Sequence, residues 1–251
     1  MGNNVFERDY ACVYDLIYKN KKYENEIKKI LSFLKLNNIN KNSKFIDVGC
    51  GTGNHLIELL KLGYNNVVGI DKSSEMLEIA KKKISKFKRL EKILFNKEIE
   101  EIKFDEKFDV MLCLFNVIGY IGNIDKTLES FSSHLKKKAF LIFDFWNGHA
   151  VLKNKPSRTV NVSNKQSLCI KKNSTGKIIE GNKVEVNIEF SLKKKKKLVL
   201  QNKEIHNVSF FFPNELEQLL SKKGFDTIKI TDFYGNLLDS NNDDWKAICY
   251  A

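Results

Sequence analysis

Arginine is nearly missing from this chain. Of its 43 basic residues only Arg8, Arg89 and Arg158 are arginine, against 31 acidic residues and a net charge of +12. Bidentate phosphate recognition favours the guanidinium fork, so the charge reads as a lysine-rich, Asn-rich composition of the kind an AT-rich genome produces. A specific nucleic-acid surface is not expected from it. Cysteine is sparse and badly placed for cross-linking: Cys12, Cys50, Cys113, Cys169 and Cys249 are odd in number, widely spaced and never in a C-x-x-C pair. That excludes a secreted disulfide framework and gives no metal site, and a reducing cytoplasm suits it best. No stretch approaches the roughly 20 apolar residues of a membrane span, so no membrane partner is expected. Met1–Phe6 lacks the basic start and apolar run of a signal peptide, and Phe6 spoils a myristoylation pattern despite Gly2. No internal repeat is visible.

What is present is a globular composition, 42% hydrophobic and 29% charged, with enough apolar material for one large domain or a domain with an insertion. The first 42 residues read as helical, with Tyr10, Tyr14, Tyr18 and Tyr23 ahead of Ile27, Ile30, Leu31 and Leu34 at helical spacing. Then short apolar runs alternate with helical ones. Strands are expected at 44–48, 66–70, 108–115, 139–145, 227–233 and 245–250. Helices are expected at 54–63, 73–86, 124–138 and 213–223. Strands without polar alternation, separated by helices, indicate a doubly wound, mostly parallel α/β sheet covered on both faces.

Between 150 and 212 the pattern changes to β-branched alternation, as in Thr159-Val160-Asn161-Val162 and Val184–Phe190, with turn signals at Ser174-Thr175-Gly176 and Gly181-Asn182. We read this as an antiparallel β insertion covering the active site, flanked by a ligand-binding domain of residues 1–149 and 213–251. The Lys193–Lys197 run inside it reads as a solvated hairpin tip, with phosphate binding as the alternative.

The chemistry is concentrated in Phe45-Ile46-Asp47-Val48-Gly49-Cys50-Gly51-Thr52-Gly53-Asn54-His55. A buried strand runs into three alternating glycines that open a helix, so backbone can bend sharply and approach a ligand. A dinucleotide fingerprint wants its third glycine at position 54, where this chain has Asn, and requires no acid at the position of Asp47. Twenty residues beyond Gly51, Asp71 ends the second strand, where a carboxylate can accept hydrogen bonds from ribose hydroxyls. Capping the next helix is the alternative role, but Ser73 or Ser74 can fill it.

The spacing Asp-x-Gly-x-Gly-x-Gly resembles motif I of the class I methyltransferases that use S-adenosylmethionine. More particularly, Tyr14–Tyr18 with Lys22-Tyr23, Phe108–Ile121, Asp144-Phe145-Trp146 and Glu204–Phe211 are similar to the N,N-dimethyltransferases acting on dTDP-linked amino sugars. The resemblance implies a seven-stranded Rossmann-like sheet and S-adenosylmethionine as cofactor, with S-adenosylhomocysteine as product. It implies cofactor contacts from Tyr14, Tyr23, Asp47, Gly49, Gly51, Gly53, Asp71, Lys72 and Leu114. Met76 would pack on adenine, Glu98 would receive its amino group and Ile99 would touch the ring, although Glu98 also fits a plain surface charge. Tyr18, Asn116, Tyr120 and Trp146 would meet the acceptor, a small molecule such as a nucleotide-sugar, and a homodimer stays open. One departure stands out: the family's Ser-Ser-Ile-Gly-His-like stretch is Asn116-Val117-Ile118-Gly119-Tyr120 here, with Tyr in place of His.

Methyl transfer is an in-line displacement, so orientation and exclusion of water supply much of the rate. An amine acceptor needs only a place to lose a proton, whereas a hydroxyl needs a base. His149 and His206 are the candidates for that base, with Tyr120 orienting the acceptor and Tyr14 beside the methionine end; each histidine also fits a plain surface position. Tyr14, Tyr18, Tyr120 and Trp146 can favour the sulfonium through their ring faces. O-methylation of a sugar or phosphorylated small molecule of surface-polysaccharide biosynthesis is the alternative. An RNA methyltransferase is disfavoured, because the Asp/Asn-Pro-Pro-aromatic site of base-methylating enzymes reads Leu114-Phe115-Asn116-Val117 here. A nicotinamide oxidoreductase is disfavoured by Asn54, and a non-catalytic binding protein would look the same in sequence.

The charge yields a direct test. Near physiological ionic strength, RNA affinity measured by titration is expected to be no tighter than about micromolar, the range of non-specific lysine attraction. A structure-selective RNA complex at that salt, with methylation of the bound RNA, would overturn the small-molecule reading.

Overall fold

The computed structural model describes residues 5–6, 8–87, 93–99, 102–165, 167–238 and 243–251. Gly2 and Arg89 lie outside them. Two helices come first, α1 (Arg8–Ile17) and α2 (Tyr23–Lys35). The α/β alternation follows with β1 (Phe45–Val48), α3 (Asn54–Lys61), β2 (Val67–Asp71), α4 (Ser74–Ile84), β3 (Leu94–Asn96), β4 (Phe108–Cys113), α5 (Ile124–His134) and β5 (Leu135–Trp146). Next come α6 (Gly148–Lys153) and the hairpin strands β6 (Thr159–Lys165), β7 (Leu168–Ile179), β8 (Lys183–Lys194) and β9 (Lys197–Ser209). The chain closes with α7 (Pro213–Lys222), β10 (Lys229–Asp232) and β11 (Lys246–Tyr250).

The main sheet has the order β10-β11-β5-β4-β1-β2-β3. Its strands are parallel except β11, which runs antiparallel to both β5 and β10. All four residues of β1 are buried, which explains why the strand reads as a continuous apolar run around one acid. Core clusters cover both faces, one with Ile27, Leu34, Leu56 and Leu77, the other with Phe131, Leu216 and Leu220. Because β2 and β4 lie on opposite sides of β1, the winding reverses there, and the crevice at the carboxyl end of β1 is where such sheets bind ligands.

Three local expectations change. The helix expected over 124–138 stops at His134, and Leu135–Lys138 extend β5, with Lys138 in the left-handed region at φ 62° where the register to β4 shifts. His134 turns its ring back onto the Ser130 carbonyl at 2.8 Å, so the helix end closes on itself. The turn expected at Ser174-Thr175-Gly176 is the middle of β7, paired without interruption to β8 from Leu168 to Ile179. Gly176 serves close packing instead, since a Cβ there would lie 2.6 Å from Pro156. The real turn is at Gly181-Asn182, both left-handed. β3, whose residues are only half-buried or exposed, was not expected from periodicity, and its place in the seven-stranded sheet came only from the family resemblance.

The hairpin strands form a separate antiparallel sheet in the order β6-β7-β8-β9. Ile170, Ile188 and Phe190 on its inner face pack with Tyr10, Ala11 and Val13 of α1, and α1 in turn meets Met76 of α4. The N-terminal helix is thus held between the small sheet and the main domain. Lys195 and Lys196 form the left-handed, exposed tip between β8 and β9.

Asp47, in the middle of β1, is 1% exposed, and its Oδ2 has no hydrogen-bond partner among the described residues. Burial pushes its carboxyl up to about 7. A carboxyl raised by folding is best accommodated when protonated, so its contribution is full below the unfolded value near 3.8 and is lost as pH rises through about 7. Asp47→Asn is therefore expected to match wild type in denaturant unfolding near pH 4 and to exceed it above pH 7, by about 2–4 kcal/mol.

Candidate active site

The turn after β1 places Gly49, Gly51 and Gly53 in the left-handed region at φ 68°, 54° and 76°. Their uses differ. A Cβ on Gly49 would come within 2.5 Å of Val117, and one on Gly53 within 3.2 Å of Ala80. A Cβ on Gly51 would meet nothing within 4 Å, because that backbone faces a cavity. Gly49 and Gly53 accordingly allow packing and conformation, while Gly51 keeps space open for a ligand.

Asp71 links this turn to the next strand. Its Oδ2 accepts the Gly51 N–H at 2.7 Å, and its Oδ1 accepts the Ser73 N–H at 2.8 Å. Ser73 itself caps α4 by accepting the Met76 N–H at 3.1 Å, which leaves Asp71 free of the capping role. Each carboxylate oxygen keeps a second lone pair for a ligand. Burial raises the Asp71 carboxyl, and the two backbone donors oppose that rise.

The cap helices are tied to the same turn. Asp15 of α1 accepts from Thr52 Oγ1 at 2.7 Å and Asn54 Nδ2 at 2.9 Å through one oxygen, and from Lys83 Nζ at 2.8 Å through the other. Burial alone would raise this carboxyl, but Lys83 and its two further donors hold it below the ordinary value. Asn54, which replaces the glycine of a dinucleotide fingerprint, therefore ties down the cap. Glu26 of α2 similarly bonds His55 at 2.9 Å and pairs with Lys21.

Across the cavity, Phe115 and Asn116 follow β4 with φ 70° and 58°, a strained conformation for two successive non-glycine residues. The Asn116 N–H donates to Asp144 Oδ1 at 2.8 Å. Next, the 3-10 turn Val117–Tyr120 puts the Tyr120 hydroxyl 3.0 Å from His206 Nδ1, and His206 Nε2 is 3.0 Å from Glu204 Oε2. His206 and Glu204 are buried at 1% and 6% exposure. Burial keeps the Tyr120 phenol far above its ordinary pKa.

Of the residues singled out in the sequence, Tyr14, Tyr18, Tyr23, Gly49, Gly51, Asp71, Lys72, Met76, Glu98, Ile99, Leu114, Asn116, Tyr120 and Trp146 line one cavity. Four do not. Asp47 lies behind the turn within β1, Gly53 faces Ala80, and His206 stands behind Tyr120. His149 is carried off by α6, which Asn147 caps, and its ring packs on Phe212 at 5.1 Å. Phe6, Tyr10, Phe115, Ile188 and Lys246 complete the wall without having been expected there. Tyr10 had a signal, one helical turn before Tyr14; Ile188 and Lys246 come from distant strands and had none.

The wall carries three carboxylates, Asp71, Glu98 and Asp144, against two lysines, Lys72 and Lys246, with Asp47 behind it, and burial raises the carboxyls of Asp71 and Asp144. Such a site suits a cationic ligand. The Tyr23 hydroxyl is buried beside Asn54, Gly51 leaves backbone bare, and Asp71 can take a pair of hydroxyls. These features fit the amino-acid, sulfonium and ribose parts of S-adenosylmethionine.

Comparison with known proteins agrees. The methyltransferase domain model matches residues 39–208. The dTDP-3-amino-3,4,6-trideoxy-alpha-D-glucopyranose N,N-dimethyltransferase of Streptomyces venezuelae is 24% identical over 235 residues, covering 88% of this chain and 91% of that one. An S-adenosylmethionine-dependent methyltransferase from Clostridium acetobutylicum superposes with a TM-score of 0.80 at 20% identity, over 96% of each chain. The sugar N-methyltransferase KedS8 from a Streptoalloteichus species superposes with a TM-score of 0.75 at 14% identity, over 99% of this chain and 95% of that one. At these identities the two structures share the fold. With the family model spanning most of the chain and the glycine turn, Asp71 and the acid-lined cavity in place, this chain belongs to the methyltransferase domain family, as an S-adenosylmethionine-dependent methyltransferase.

Proposed function

We propose that this enzyme methylates the amine of a small polar acceptor, a nucleotide-linked amino sugar. The observation that carries the reading is the hydrogen-bonded series Tyr120–His206–Glu204. With Glu204 ionised, its oxygen accepts from His206 Nε2–H, which leaves Nδ1 with only a lone pair. Tyr120 then donates its proton to Nδ1, and its oxygen turns lone pairs toward the cavity it lines. A lone pair at that wall suits an acceptor that brings N–H groups. Support for the sugar comes from the relatives, one of which is a dTDP-amino-sugar N,N-dimethyltransferase. Support for the nucleotide comes from Trp146 and Lys246, register partners across β5 and β11 that both line the cavity, one a flat ring and the other an exposed cation.

The cofactor would be held by Gly51 and Asp71 at its ribose, by Met76, Glu98 and Ile99 at its base, and by Tyr14 and Tyr23 at its amino-acid end. When bound, it supplies a methyl group on a positively charged sulfur that leaves readily. The chain's own residues do the rest. Tyr120 fixes the direction of the acceptor's N–H, which aims the nitrogen lone pair. Because its phenol resists ionisation, Tyr120 passes on its proton to His206 Nδ1 as it receives one from the nitrogen, and Glu204 balances the imidazolium so formed. Tyr14, Tyr18 and Phe115, with ring centroids 4.8–6.3 Å apart, exclude water and present π faces to positive charge. The same series provides a base for a hydroxyl, so O-methylation of a sugar or phosphorylated small molecule is the second reading.

A screen of dTDP-amino sugars and other phosphorylated small molecules with labelled cofactor, followed by mass analysis of products, tests the acceptor directly. Methylation on oxygen alone would replace the amine reading by the second one. On the true substrate, Tyr120→Phe is expected to lower kcat by about 10²-fold, the lower range for acid–base assistance, with cofactor affinity nearly unchanged. For an amine, the wild-type rate should rise with pH toward the amine's own pKa. If the variant turns over like wild type, Tyr120 is packing only.

Calorimetric titration with S-adenosylhomocysteine checks the cofactor half. Asp71→Ala is expected to weaken binding by roughly 1–3 kcal/mol, and Gly51→Val to abolish it by filling the space its backbone leaves open. Unchanged affinity in both folded variants would remove these residues from the site.

A further inference from the structure

The inner face of the insertion sheet carries a cation that the chemistry above does not use. Lys172 occupies an inward position of β7, two residues after Ile170 and opposite Phe190 of β8. It is only 9% exposed. Lysine is almost never buried so far unless paired, yet among the described residues Lys172 makes no ion pair. Its Nζ donates to the Tyr18 hydroxyl at 2.9 Å and lies 5.0 Å from the centroid of the same ring. The Tyr18 hydroxyl is in turn 3.0 Å from that of Tyr10. Both tyrosines line the cavity.

Counting protons fixes the polarity of this group. An ammonium can only donate, so the Tyr18 oxygen accepts from Lys172. Two phenols own two protons, and their mutual hydrogen bond consumes one. The other has no acceptor among the described residues, so the pair offers one O–H, polarised by the lysine behind it, to the cavity. Tyr120 offers the reverse, an oxygen whose proton is turned away toward His206. The acceptor half of the cavity therefore carries a lone pair at one phenol and a charge-backed proton at another.

We propose that Lys172, Tyr18 and Tyr10 form an oxyanion subsite, which takes a phosphoryl or carboxylate oxygen of the acceptor molecule and supplies Lys172 as its counter-charge at one remove. The subsite rests on the proposed function only in assigning this half of the cavity to the acceptor. It accounts for a buried, unpaired ammonium, which is costly until an anion arrives, and it restricts acceptors to molecules with a negatively charged group near the methylated atom. Lys172 and Tyr18 also hold the small sheet against α1, so bound anion and cap position are joined.

The test uses the full chain saturated with S-adenosylhomocysteine, titrated calorimetrically with inorganic phosphate and, separately, with acetate. Wild type is expected to bind at least one of them saturably at millimolar concentration. Phosphate alone would identify a phosphoryl group, and acetate alone a carboxylate. Lys172→Met, which keeps the length of the side chain without its charge, should weaken that binding by about tenfold or more, as expected for loss of a charge-assisted contact. Tyr18→Phe keeps the ring but breaks the hydrogen-bonded path, and should weaken it in the same direction. Lys171→Met, the exposed neighbour facing outward, should change it by less than about twofold, the small effect of a screened surface charge. In anion-free buffer Lys172→Met should melt no lower than wild type, because an apolar chain replaces a buried unpaired charge. Absence of saturable binding of either anion, equal affinity in wild type and Tyr18→Phe, or an equal loss in Lys171→Met would overturn the subsite. None of these readouts involves methyl transfer, so the subsite and the amino-sugar reading stand or fall separately.

Discussion

The hydrogen bond from the Gly51 N–H to Asp71 is the contact on which the site depends. It joins the tip of one β–α turn to the end of the neighbouring strand, and does so through a carboxyl whose pKa burial raises and the backbone donors pull back down. A second backbone donor, Ser73, completes its anchoring. Everything that faces the cavity from this side is referenced to that bond: the bare backbone at Gly51, the start of α3 and the start of α4. Gly51 must be left-handed to aim its N–H there, and Asp71 must remain uncommitted to capping, which Ser73 makes so. The short distance along the sheet between β1 and β2, neighbours in register from Phe45 to Ile70, is what brings the two residues together.

How far the sequence reveals this arrangement depends on whether a residue's role is local. The glycine turn, Asp71 and the Ser73 cap are all decided within a few residues of chain, and each was legible. So were the buried strands, whose apolar runs need no partner to be recognised. β3 was not, because its residues are only partly covered and the strand is three residues long. The placement of His149 depended on where α6 begins, and that depended on Asn147, a buried cap whose signal is indistinguishable from an ordinary loop asparagine. His206 was recognised as a residue of interest, but its position one layer behind Tyr120 follows from pairing between β8 and β9, which fixes which face of the strand turns inward. Lys172 illustrates the opposite problem. Its two-residue spacing from Ile170 was visible, but in a chain with so many lysines an inward one has no compositional contrast.

The insertion sheet contributes polarity as well as cover. On its inner face Lys172, Glu204 and His206 interrupt rows of Ile and Phe; Lys172 and His206 each reach the cavity through a tyrosine that belongs to another element, and Glu204 stands behind His206. Tyrosine suits that intermediate position because its ring belongs to the apolar wall and its hydroxyl can both accept and donate. A buried histidine or lysine projecting directly into the cavity would have to accommodate water and cofactor charge as well as substrate. Set back by one hydrogen bond, it acts on the orientation of the phenol, which is a property the surrounding packing can hold steady.

The tie at Asp15 has a consequence for how the cap is held. One carboxylate gathers donors from Thr52 and Asn54, at the turn and the first residue of α3, and from Lys83 near the end of α4. Lys83 also reaches Asn54 Oδ1 at 2.6 Å and Thr52 Oγ1 at 3.2 Å, and Asn54 reaches Thr52 Oγ1 at 3.2 Å, so the three partners are bonded to one another as well as to Asp15. Because all three converge on one carboxylate, the place of α1 on the turn is set by a single side chain. The asparagine that stands where a dinucleotide-binding chain would place glycine thereby joins α1, the glycine turn and α4 into a single fastening.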